Sequence, residues 1–310
     1  MIEKNVMVSF LKKFDQYPFC VKIDGEKYTI GEGIPEFTVN IKKKIPMDSL
    51  ITSTSIALGE AYMDGTLDIE GDLYYALNHF LGQMGKFSTD QSALKKLIFS
   101  SKSKKNQKIE VQSHYDIGND FYKLWLDDTM SYSCGYFKKA DDTLEEAQRN
   151  KVDYILEKLC LSADMNLLDI GCGWGFLLIE AAKKYKVHGT GITLSKEQYS
   201  EFQKRIREEH LEDLLTVELM DYRDLPKYGK KFDRVVSVGM IEHVGRGNYE
   251  EFFDCVKCVL KQGGIFLLHF ISALKEYPGD AWIKKYIFPG GVVPGLREIM
   301  YIAGDKRFYT

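Results

Sequence analysis

The second half of the chain alternates short apolar runs with longer amphipathic segments. The runs have the length of buried strands, and the segments between them place apolar residues at helical spacing. Together they predict strands at 167–170, 187–193, 215–219, 232–238 and 265–271, and helices at 174–185, 196–210 and 249–260. This alternation is typical of an α/β fold, in which right-handed crossovers connect the strands of a mainly parallel sheet.

The first 90 residues instead mix helical patterns with short strand-like pieces. A strand is predicted at 19–23, before a turn at Asp24 and Gly25. A helix is predicted at 49–64, with five apolar side chains available for burial: Leu50, Ile51, Ile56, Leu58 and Tyr62. This part of the chain therefore predicts a smaller α+β domain.

Between the two patterned parts, from about residue 90 to 111, the chain is polar and rich in lysine. The lysines that follow one another without an intervening acidic residue are Lys95, Lys96, Lys102, Lys104, Lys105 and Lys108. Two interpretations remain open: a solvated linker, or attraction to an anionic membrane surface at roughly 1 kcal/mol per well-placed lysine. We predict a domain at 1–95 that engages lipid or membrane, a linker at 96–110 and an α/β domain at 111–310.

The overall composition is that of an ordinary globular protein. Its 310 residues, of which 45% are hydrophobic, suffice for two domains with substantial cores. The longest apolar runs, such as 264–268, have the length of a strand and fall well short of the ~20 residues that a transmembrane helix needs. No secretory signal is recognisable at the N-terminus. The cytoplasm is therefore the expected location.

The six cysteines do not suggest a disulfide framework or a metal site. Cys172 lies inside a glycine turn, where a crosslink would obstruct a ligand, so reduced thiols are expected. Cys255 and Cys258 form a C-x-x-C pair, but they lie in a helical pattern without a second pair downstream, which favours a helix packing face over zinc. No basic aromatic motif is present, so nucleic-acid binding is not predicted.

The segment 166–175, NLLDIGCGWG, has the pattern of a buried strand that breaks into a glycine turn and begins a helix. Glycine permits positive φ and lacks Cβ, so an adenosyl group can lie against the backbone there. Gly171, Gly173 and Gly175 follow G-x-G-x-G rather than the dinucleotide fingerprint G-x-G-x-x-G. The carboxylate of Asp169 suits a cation such as a sulfonium better than a phosphate. S-adenosylmethionine is therefore the predicted cofactor.

Other polar residues fall at, or just past, the ends of the predicted strands. Ligands of parallel sheets bind beyond the carboxyl ends of the strands, where the strand order reverses. The residues at these positions are Asp169, Thr193, Asp221, Glu242 and His269. We therefore expect one site at this edge of the sheet.

Four blocks of the sequence resemble those of one enzyme family. They are 114–122 (HYDIGNDFY) with 130–137 (MSYSCGYF), 168–175 (LDIGCGWG) with 191–198 (GITLSKEQ), 241–245 (IEHVG), and 268–271 (LHFI) with 285–291 (KYIFPGG). From about residue 50 to 300, their order and spacing resemble the cyclopropane fatty acid synthases, which include the mycolic acid cyclopropane synthases. The resemblance implies a Rossmann-like class I S-adenosylmethionine methyltransferase domain that acts on unsaturated phospholipid at a membrane surface.

The resemblance also implies roles for the residues of the cofactor site. Tyr132 and Ser133 would close over the methionine end of the cofactor, and Gln198 would contact the ribose. Trp174 would flank the cofactor, although packing at the helix start is an alternative. The full set is Tyr132, Ser133, Asp169, Gly171, Gly173, Trp174, Thr193, Gln198, Asp221 and Tyr222.

A second group is implied for proton removal. In the reaction of the family, an alkene attacks the sulfonium methyl group, and loss of a methyl proton closes the three-membered ring. The resemblance implies that a bound bicarbonate accepts this proton and is held by Cys134, Glu242, His269 and the backbone near Ile271. Glu242 as a helix cap and His269 as a core histidine are the structural alternatives.

Several questions stay open at the level of sequence. Family members run some tens of residues beyond position 310, so a C-terminally truncated chain is expected, with an incomplete sheet, weaker cofactor binding and impaired turnover. A homodimer is compatible with the sequence. The alternatives to a cyclopropane synthase are methyl transfer to another lipid-like or small acceptor and a noncatalytic lipid-binding module. Retention of a bicarbonate site and of cofactor binding would separate these alternatives.

Overall fold

The computed structural model describes residues 2–88, 109, 115–274 and 279–309. The chain divides into two compact units: Met1–Lys96 with Asp280–Tyr286, and Leu97–Gly279 with Ile287–Thr310. Residues 280–286, predicted from the sequence to belong to the second domain, are thus grouped with the first unit. The predicted linker at 96–110 lies outside the described residues, apart from Ile109.

The N-terminal part of the first unit combines a sheet with short helices. Its elements are α1 (Ile2–Leu11), β1 (Phe19–Ile23), β2 (Glu26–Ile30), β3 (Thr38–Ile41), α2 (Met47–Thr52), α3 (Thr54–Met63), β4 (Leu67–Glu70) and α4 (Leu73–Leu81), followed by a 3-10 turn at Met84–Lys86. The strand order is β2-β1-β3-β4. β1 and β2 pair in an antiparallel hairpin through Asp24 and Gly25, which confirms the predicted strand and turn.

The remaining elements follow in chain order. They are α5 (Asn119–Lys123), α6 (Leu144–Lys158), β5 (Asn166–Ile170), α7 (Phe176–Tyr185), β6 (His188–Thr193), α8 (Lys196–Glu208), β7 (Leu215–Leu219), a 3-10 helix at Tyr222–Lys227, β8 (Phe232–Val238), α9 (Ile241–Val244), α10 (Tyr249–Val259), β9 (Leu260–His269), α11 (Ala281–Tyr286) and α12 (Leu296–Asp305). Of these, α11 belongs to the first unit.

The predicted helix at 49–64 is wrong in one respect, because it is interrupted. Ser53 adopts an extended conformation between α2 and α3, with φ −156° and ψ 102°. The next residue, Thr54, pairs with Ser88: its N–H donates to the Ser88 carbonyl, and its hydroxyl accepts from the Ser88 N–H. Leu50 is buried as predicted, whereas Ile51 and Tyr62 are 65% and 42% exposed.

Helix α11 packs against α3 within the first unit. The indole of Trp282 lies over Gly59, where an added Cβ would approach the ring to 2.4 Å. The Glu60 carboxylate accepts hydrogen bonds from Lys285 Nζ at 2.5 Å and from the Tyr286 hydroxyl at 2.7 Å. These contacts explain why 280–286 is grouped with residues that precede it by more than two hundred positions.

The second unit contains a parallel sheet with the order β7-β6-β5-β8-β9 among the described strands. The chain runs outward from β5 through β6 and β7, and then places β8 and β9 on the other side of β5. The order therefore reverses at β5, which is where ligands of such sheets bind. The predicted strands are confirmed, although the last one spans 260–269 rather than 265–271.

Successive residues of β5 point to opposite faces of the sheet and are buried in two different clusters, as expected for a sheet covered on both faces. Leu167 packs with α7 and α8, including Leu178 and Phe202. Leu168 belongs to a cluster that includes Phe252 of α10. In α10, Cys255 is buried and Cys258 is exposed, so the C-x-x-C pair does not form one packing face. In the part of the chain that the structure describes, no helix is long and apolar enough to cross a bilayer.

The end of the glycine turn is sterically confined. Gly175 has φ +87°, and a Cβ at this position would lie 2.0 Å from Cδ2 of Phe202, which is fully buried. We expect Gly175→Ala to destabilise the protein by about 2–4 kcal/mol in urea unfolding, from backbone strain and overpacking. Gly304→Ala is the control: Gly304 is exposed in α12 with nothing near its Cβ position, so we expect a gain of about 0.5–1 kcal/mol. Equal stability of Gly175→Ala and the unaltered protein would contradict this expectation.

Candidate active site

A cavity opens at the carboxyl edge of the parallel sheet, beside the glycine turn. It holds about 1130 Å³ of empty space, part of it open to solvent. Its lining includes all ten residues predicted for cofactor binding: Tyr132, Ser133, Asp169, Gly171, Gly173, Trp174, Thr193, Gln198, Asp221 and Tyr222. The four residues predicted to hold bicarbonate do not line this cavity and lie in two pairs.

Asp169 lies near the end of β5 and is buried, with 3% of its surface exposed. Its Oδ1 atom has no hydrogen-bond partner among the described residues. Burial raises the pKa of the Asp169 carboxyl to about 7, because removal from water disfavours the charged form. A cationic ligand in the cavity would reverse this effect, since it would stabilise the carboxylate.

Beyond Asp169, the glycine turn exposes backbone to the cavity. Gly171 has φ +83° and Gly173 has φ +55°. At Gly173 the direction of a Cβ points into open space, so the chain leaves room for a ligand against the backbone there. An orphaned buried carboxylate next to an open glycine turn fits the amino-acid end and adenosyl group of S-adenosylmethionine.

The edge of the cavity after β6 and β7 is held by polar contacts. Thr193 Oγ1 donates to Gln198 Oε1 at 2.8 Å, which orients the amide predicted to contact the ribose. The Asp221 carboxylate accepts two hydrogen bonds from the Arg223 guanidinium, at 2.8 and 2.7 Å. Arg223 also lines the cavity and was not predicted from the sequence. The Asp221 carboxylate, which was predicted to border the adenine, is therefore already paired with the Arg223 cation.

Aromatic rings cover another side of the cavity. Tyr132 stacks on Phe288, with ring centroids 6.2 Å apart, and lies edge-on to Tyr115. The partly buried Tyr115 hydroxyl lies 3.3 Å from Nε2 of His243. Trp174 is buried and donates from Nε1 to Asn119 at 2.7 Å, so it also packs the start of the turn. His243, which was not among the predicted site residues, also lines the cavity.

Of the residues predicted to hold bicarbonate, Glu242, His269 and Ile271 lie at or just past the ends of β8 and β9, and Cys134 lies in the loop before α6. Cys134 Sγ is 3.6 Å from His269 Nε2. Glu242 Oε1 accepts a hydrogen bond from the Ile271 N–H at 2.7 Å. Glu242 Oε2 and His269 Nδ1 are buried without a hydrogen-bond partner in the described part of the chain. His114, the first residue of the matching block 114–122, lies outside the described residues.

Burial sets the protonation of this group. It raises the pKa of Glu242, and the Ile271 hydrogen bond opposes the shift. Burial lowers the pKa of His269, and the positive charge of Lys151 lowers it further. His269 is therefore neutral at pH 7, with one ring nitrogen as donor and the other as acceptor. A neutral imidazole and a carboxyl with raised pKa can share a proton with a small oxyanion.

Two residues of α6 were missed by sequence reasoning. Lys151 lines the cavity, and both Gln148 and Lys151 are buried. They share a face with Ala147, Val152 and Ile155, all of which are buried. The signal was available, because polar residues at core positions of an amphipathic helix are unusual.

Comparison with known proteins agrees with this geometry. The family model described as mycolic acid cyclopropane synthetase matches residues 102–309. The chain belongs to this family. A second model, described as a domain of unknown function, matches residues 6–92. The family match covers the parallel sheet and the whole cavity, and so it applies to the site described above.

Individual relatives support the same assignment. The chain is 38% identical over 290 residues to the probable fatty acid methyltransferase of Pseudomonas putida, covering 91% of this chain and 73% of that protein. It is 41% identical over 268 residues to the cyclopropane-fatty-acyl-phospholipid synthase of Escherichia coli strain K12, covering 84% and 68%. The crystal structure of mycolic acid cyclopropane synthase CmaA1 complexed with SAH and CTAB aligns with a TM-score of 0.59 at 35% identity, covering 64% of this chain and 74% of that one.

The expected fold class and enzyme class are therefore confirmed. The second unit has the fold of class I S-adenosylmethionine-dependent methyltransferases, and the chain is an enzyme of that class. Its homologues are cyclopropane synthases that use this cofactor. The residues that would hold the cofactor are those lining the cavity around Asp169 and the glycine turn.

Proposed function

We propose that the enzyme cyclopropanates phospholipid acyl chains. The methyl group of S-adenosylmethionine is transferred to a cis double bond, where two carbon–carbon bonds form. One C–H bond of that methyl group breaks, and a bound bicarbonate takes the proton. The substrate is an unsaturated phospholipid at a membrane surface, with which the enzyme associates peripherally on the cytoplasmic side.

The observation that carries the proposal is the group of acid–base residues next to the cofactor cavity. Methyl transfer to oxygen or nitrogen needs no base for a methyl proton, whereas ring closure does. Glu242 and His269 each present a buried atom, Oε2 and Nδ1, that has no hydrogen-bond partner among the described residues. Cys134 follows Ser133, and Glu242 precedes His243, so each pair adjoins a residue that lines the cavity.

The chain's residues have separate tasks in this proposal. The cofactor, when bound, supplies the methyl group as an electrophile. Asp169 holds the cationic part of the ligand in a site from which water is largely removed. Tyr115, Tyr132 and Phe288 exclude water from the reacting end and turn ring faces toward a developing cation. Glu242 and His269 hold the proton acceptor and take part in removing the proton.

Exposed apolar side chains on and after α5 support a lipid substrate. Phe121, Leu124 and Trp125 are 45%, 81% and 44% exposed. Tyr122, between them in sequence, is buried and packs against Trp174 of the glycine turn. An apolar surface that adjoins the cavity on its inner side suits the delivery of an acyl chain from a bilayer.

The proposal is tested by incubating the chain with S-adenosylmethionine, bicarbonate and vesicles of an unsaturated phospholipid. Mass spectrometry of the released fatty acids is expected to show one added methylene group that survives catalytic hydrogenation, because a ring is formed and no double bond remains. Methylated product in which hydrogenation still adds hydrogen would contradict ring formation. No product, with S-adenosylhomocysteine still bound in calorimetry, would contradict the substrate assignment.

A further inference from the structure

Lys151 occupies an unusual position on helix α6. It lies two turns from the N-terminus of the helix, on its buried face, and only 6% of its surface is exposed. It also lines the cofactor cavity. Burial lowers the pKa of the Lys151 ammonium to about 8, so the charged form still predominates at pH 7. A buried cation of this kind needs a compensating interaction.

Among the described residues, the two hydrogen-bond partners of Lys151 are both neutral. Its Nζ donates to Ser133 Oγ at 2.7 Å and to Gln148 Oε1 at 2.5 Å. Within the described residues, no carboxylate lies within ion-pair distance of Nζ; the charge of Asp127, which opposes the lowering of its pKa, acts at longer range. An ammonium carries three N–H donors, and these bonds use two of them.

The contact with Ser133 determines what that hydroxyl can do. Since Ser133 Oγ accepts from Lys151, its own proton is available to an acceptor elsewhere. A charged donor polarises the hydroxyl and strengthens the hydrogen bond that the hydroxyl itself donates. Ser133 lines the cavity, so an acceptor there can be part of a ligand.

Gln148 holds the same loop from behind. Its Nε2 donates to the carbonyls of Ser131 and Ser133, at 3.2 and 2.8 Å. Its Oε1 accepts from Lys151. The lysine, the amide and the loop therefore form one connected network that fixes the Ser133 hydroxyl at the cavity wall.

From this geometry we propose that Lys151 and Ser133 form the anion-binding end of the cofactor site and bind the α-carboxylate of the cofactor. Ser133 donates to the carboxylate directly, and Lys151 acts through Ser133 and through its charge as a positioning residue. The proposal rests on the proposed cofactor of this site, but not on the identity of the methyl acceptor.

The charges of the cavity match the amino-acid end of the cofactor. Asp169 is a buried carboxyl group with one oxygen that has no hydrogen-bond partner among the described residues, and Lys151 is a buried cation with neutral partners. The methionine part of S-adenosylmethionine carries one ammonium and one carboxylate. Asp169 and Lys151 are not within hydrogen-bond distance of each other, so neither compensates the charge of the other. A zwitterion bound between them would compensate both charges.

The test compares three ligands by titration calorimetry at pH 7. S-adenosylhomocysteine has both charges, its decarboxylated form keeps only the ammonium, and methylthioadenosine has neither. We expect Lys151→Met to weaken S-adenosylhomocysteine roughly 10- to 100-fold and the other two ligands less than about 3-fold. Lys158→Met, on the exposed face of the same helix, is the control and should leave all three affinities unchanged.

Further variants guard against a folding defect. Lys151→Arg keeps the charge and should recover most of the discrimination between S-adenosylhomocysteine and its decarboxylated form. Ser133→Ala should show the same selective loss, and the double variant Lys151→Met with Ser133→Ala should lose less than the sum of the two single effects, because both act on one contact. Should Lys151→Met fail to fold, the loss of carboxylate discrimination in Ser133→Ala decides the matter.

Other results would overturn the proposal. Equal weakening of all three ligands by Lys151→Met would show a general packing role. If Lys151→Met leaves the affinity for S-adenosylhomocysteine unchanged but needs more bicarbonate for turnover, then the anion that Lys151 binds is the proton acceptor and not the cofactor carboxylate. Failure of all three ligands to bind the unaltered chain would instead remove the proposed cofactor site itself, a result distinct from loss in a variant.

Discussion

Replacing Asp169 with asparagine is expected to weaken S-adenosylhomocysteine binding by roughly 10- to 100-fold, because a buried charge-assisted contact to the ligand ammonium is lost. The decarboxylated ligand should lose affinity to a similar extent, and methylthioadenosine should not. Calorimetric titration of the three ligands measures this pattern. Asp164→Asn, an exposed aspartate before the same strand, is the matched control. Equal loss for methylthioadenosine would contradict a contact to the amino-acid end.

The same residue predicts a pH dependence. The folded pKa of Asp169 is about 7, against 3.8 for an ordinary aspartate, so the protein without cofactor loses stability as pH rises from about 4 to 7. Cofactor binding favours the carboxylate form of Asp169 and therefore releases protons below pH 7. The affinity for the cofactor should rise with pH up to about 7 and level off above that pH. At about pH 6.5 we expect roughly 0.8 proton released per ligand, measured in buffers of different ionisation enthalpy.

Asparagine at 169 removes both effects. We expect the variant to release no proton at this pH and to be at least as stable as the unaltered protein at pH 8 without cofactor, because no buried carboxylate then forms. Thermal unfolding with and without ligand would show both changes. A variant that is less stable than the unaltered protein at pH 8 would indicate that Asp169 serves the fold rather than the ligand.

Glu242→Gln is expected to lower turnover about 100-fold or more, the usual scale for loss of a general acid–base group, while S-adenosylhomocysteine affinity changes less than about 3-fold. Glutamine keeps an oxygen that can accept from the Ile271 N–H, so the local structure is retained. It cannot gain or lose the proton. The measurement is the initial rate on unsaturated vesicles at saturating cofactor.

The control for this variant is Glu251→Gln, an exposed residue of α10, for which no change in rate is expected. Unaltered turnover in Glu242→Gln would leave Glu242 with only the backbone contact to Ile271. A parallel loss of cofactor affinity would place Glu242 in the cofactor site. Either result would contradict the proposed role of Glu242, which is to take part in proton removal without contributing to cofactor binding.

The strands of the parallel sheet and the cofactor cavity could be predicted because their signals are local. A run such as 166–175 specifies a strand, a turn and a helix start within ten residues. Parallel strands bring their carboxyl ends to one edge of the sheet, so Asp169, Thr193 and Asp221 could be grouped without knowledge of any contact. All three line one cavity in the structure.

The unpredicted parts depend on packing between distant segments. The sequence marks Lys151 as a polar residue at a core position of α6, but it assigns Lys151 to the site only once α6 is placed behind the Ser131–Ser133 loop. Helix α11 pairs Lys285 with Glu60, which are separated by 225 positions, and no local pattern records such a contact. The break between α2 and α3 follows from the pairing of Thr54 with Ser88. Tertiary hydrogen bonds decide all three features.

The central claim is that the transferred carbon ends in a ring after losing one proton. It is tested most directly by supplying S-adenosylmethionine with a fully deuterated methyl group, together with bicarbonate and unsaturated phospholipid vesicles. Mass spectrometry of the fatty acids should show products that retain two of the three deuterium atoms, because one is lost on ring closure. Retention of all three would show simple methyl transfer and would contradict the account.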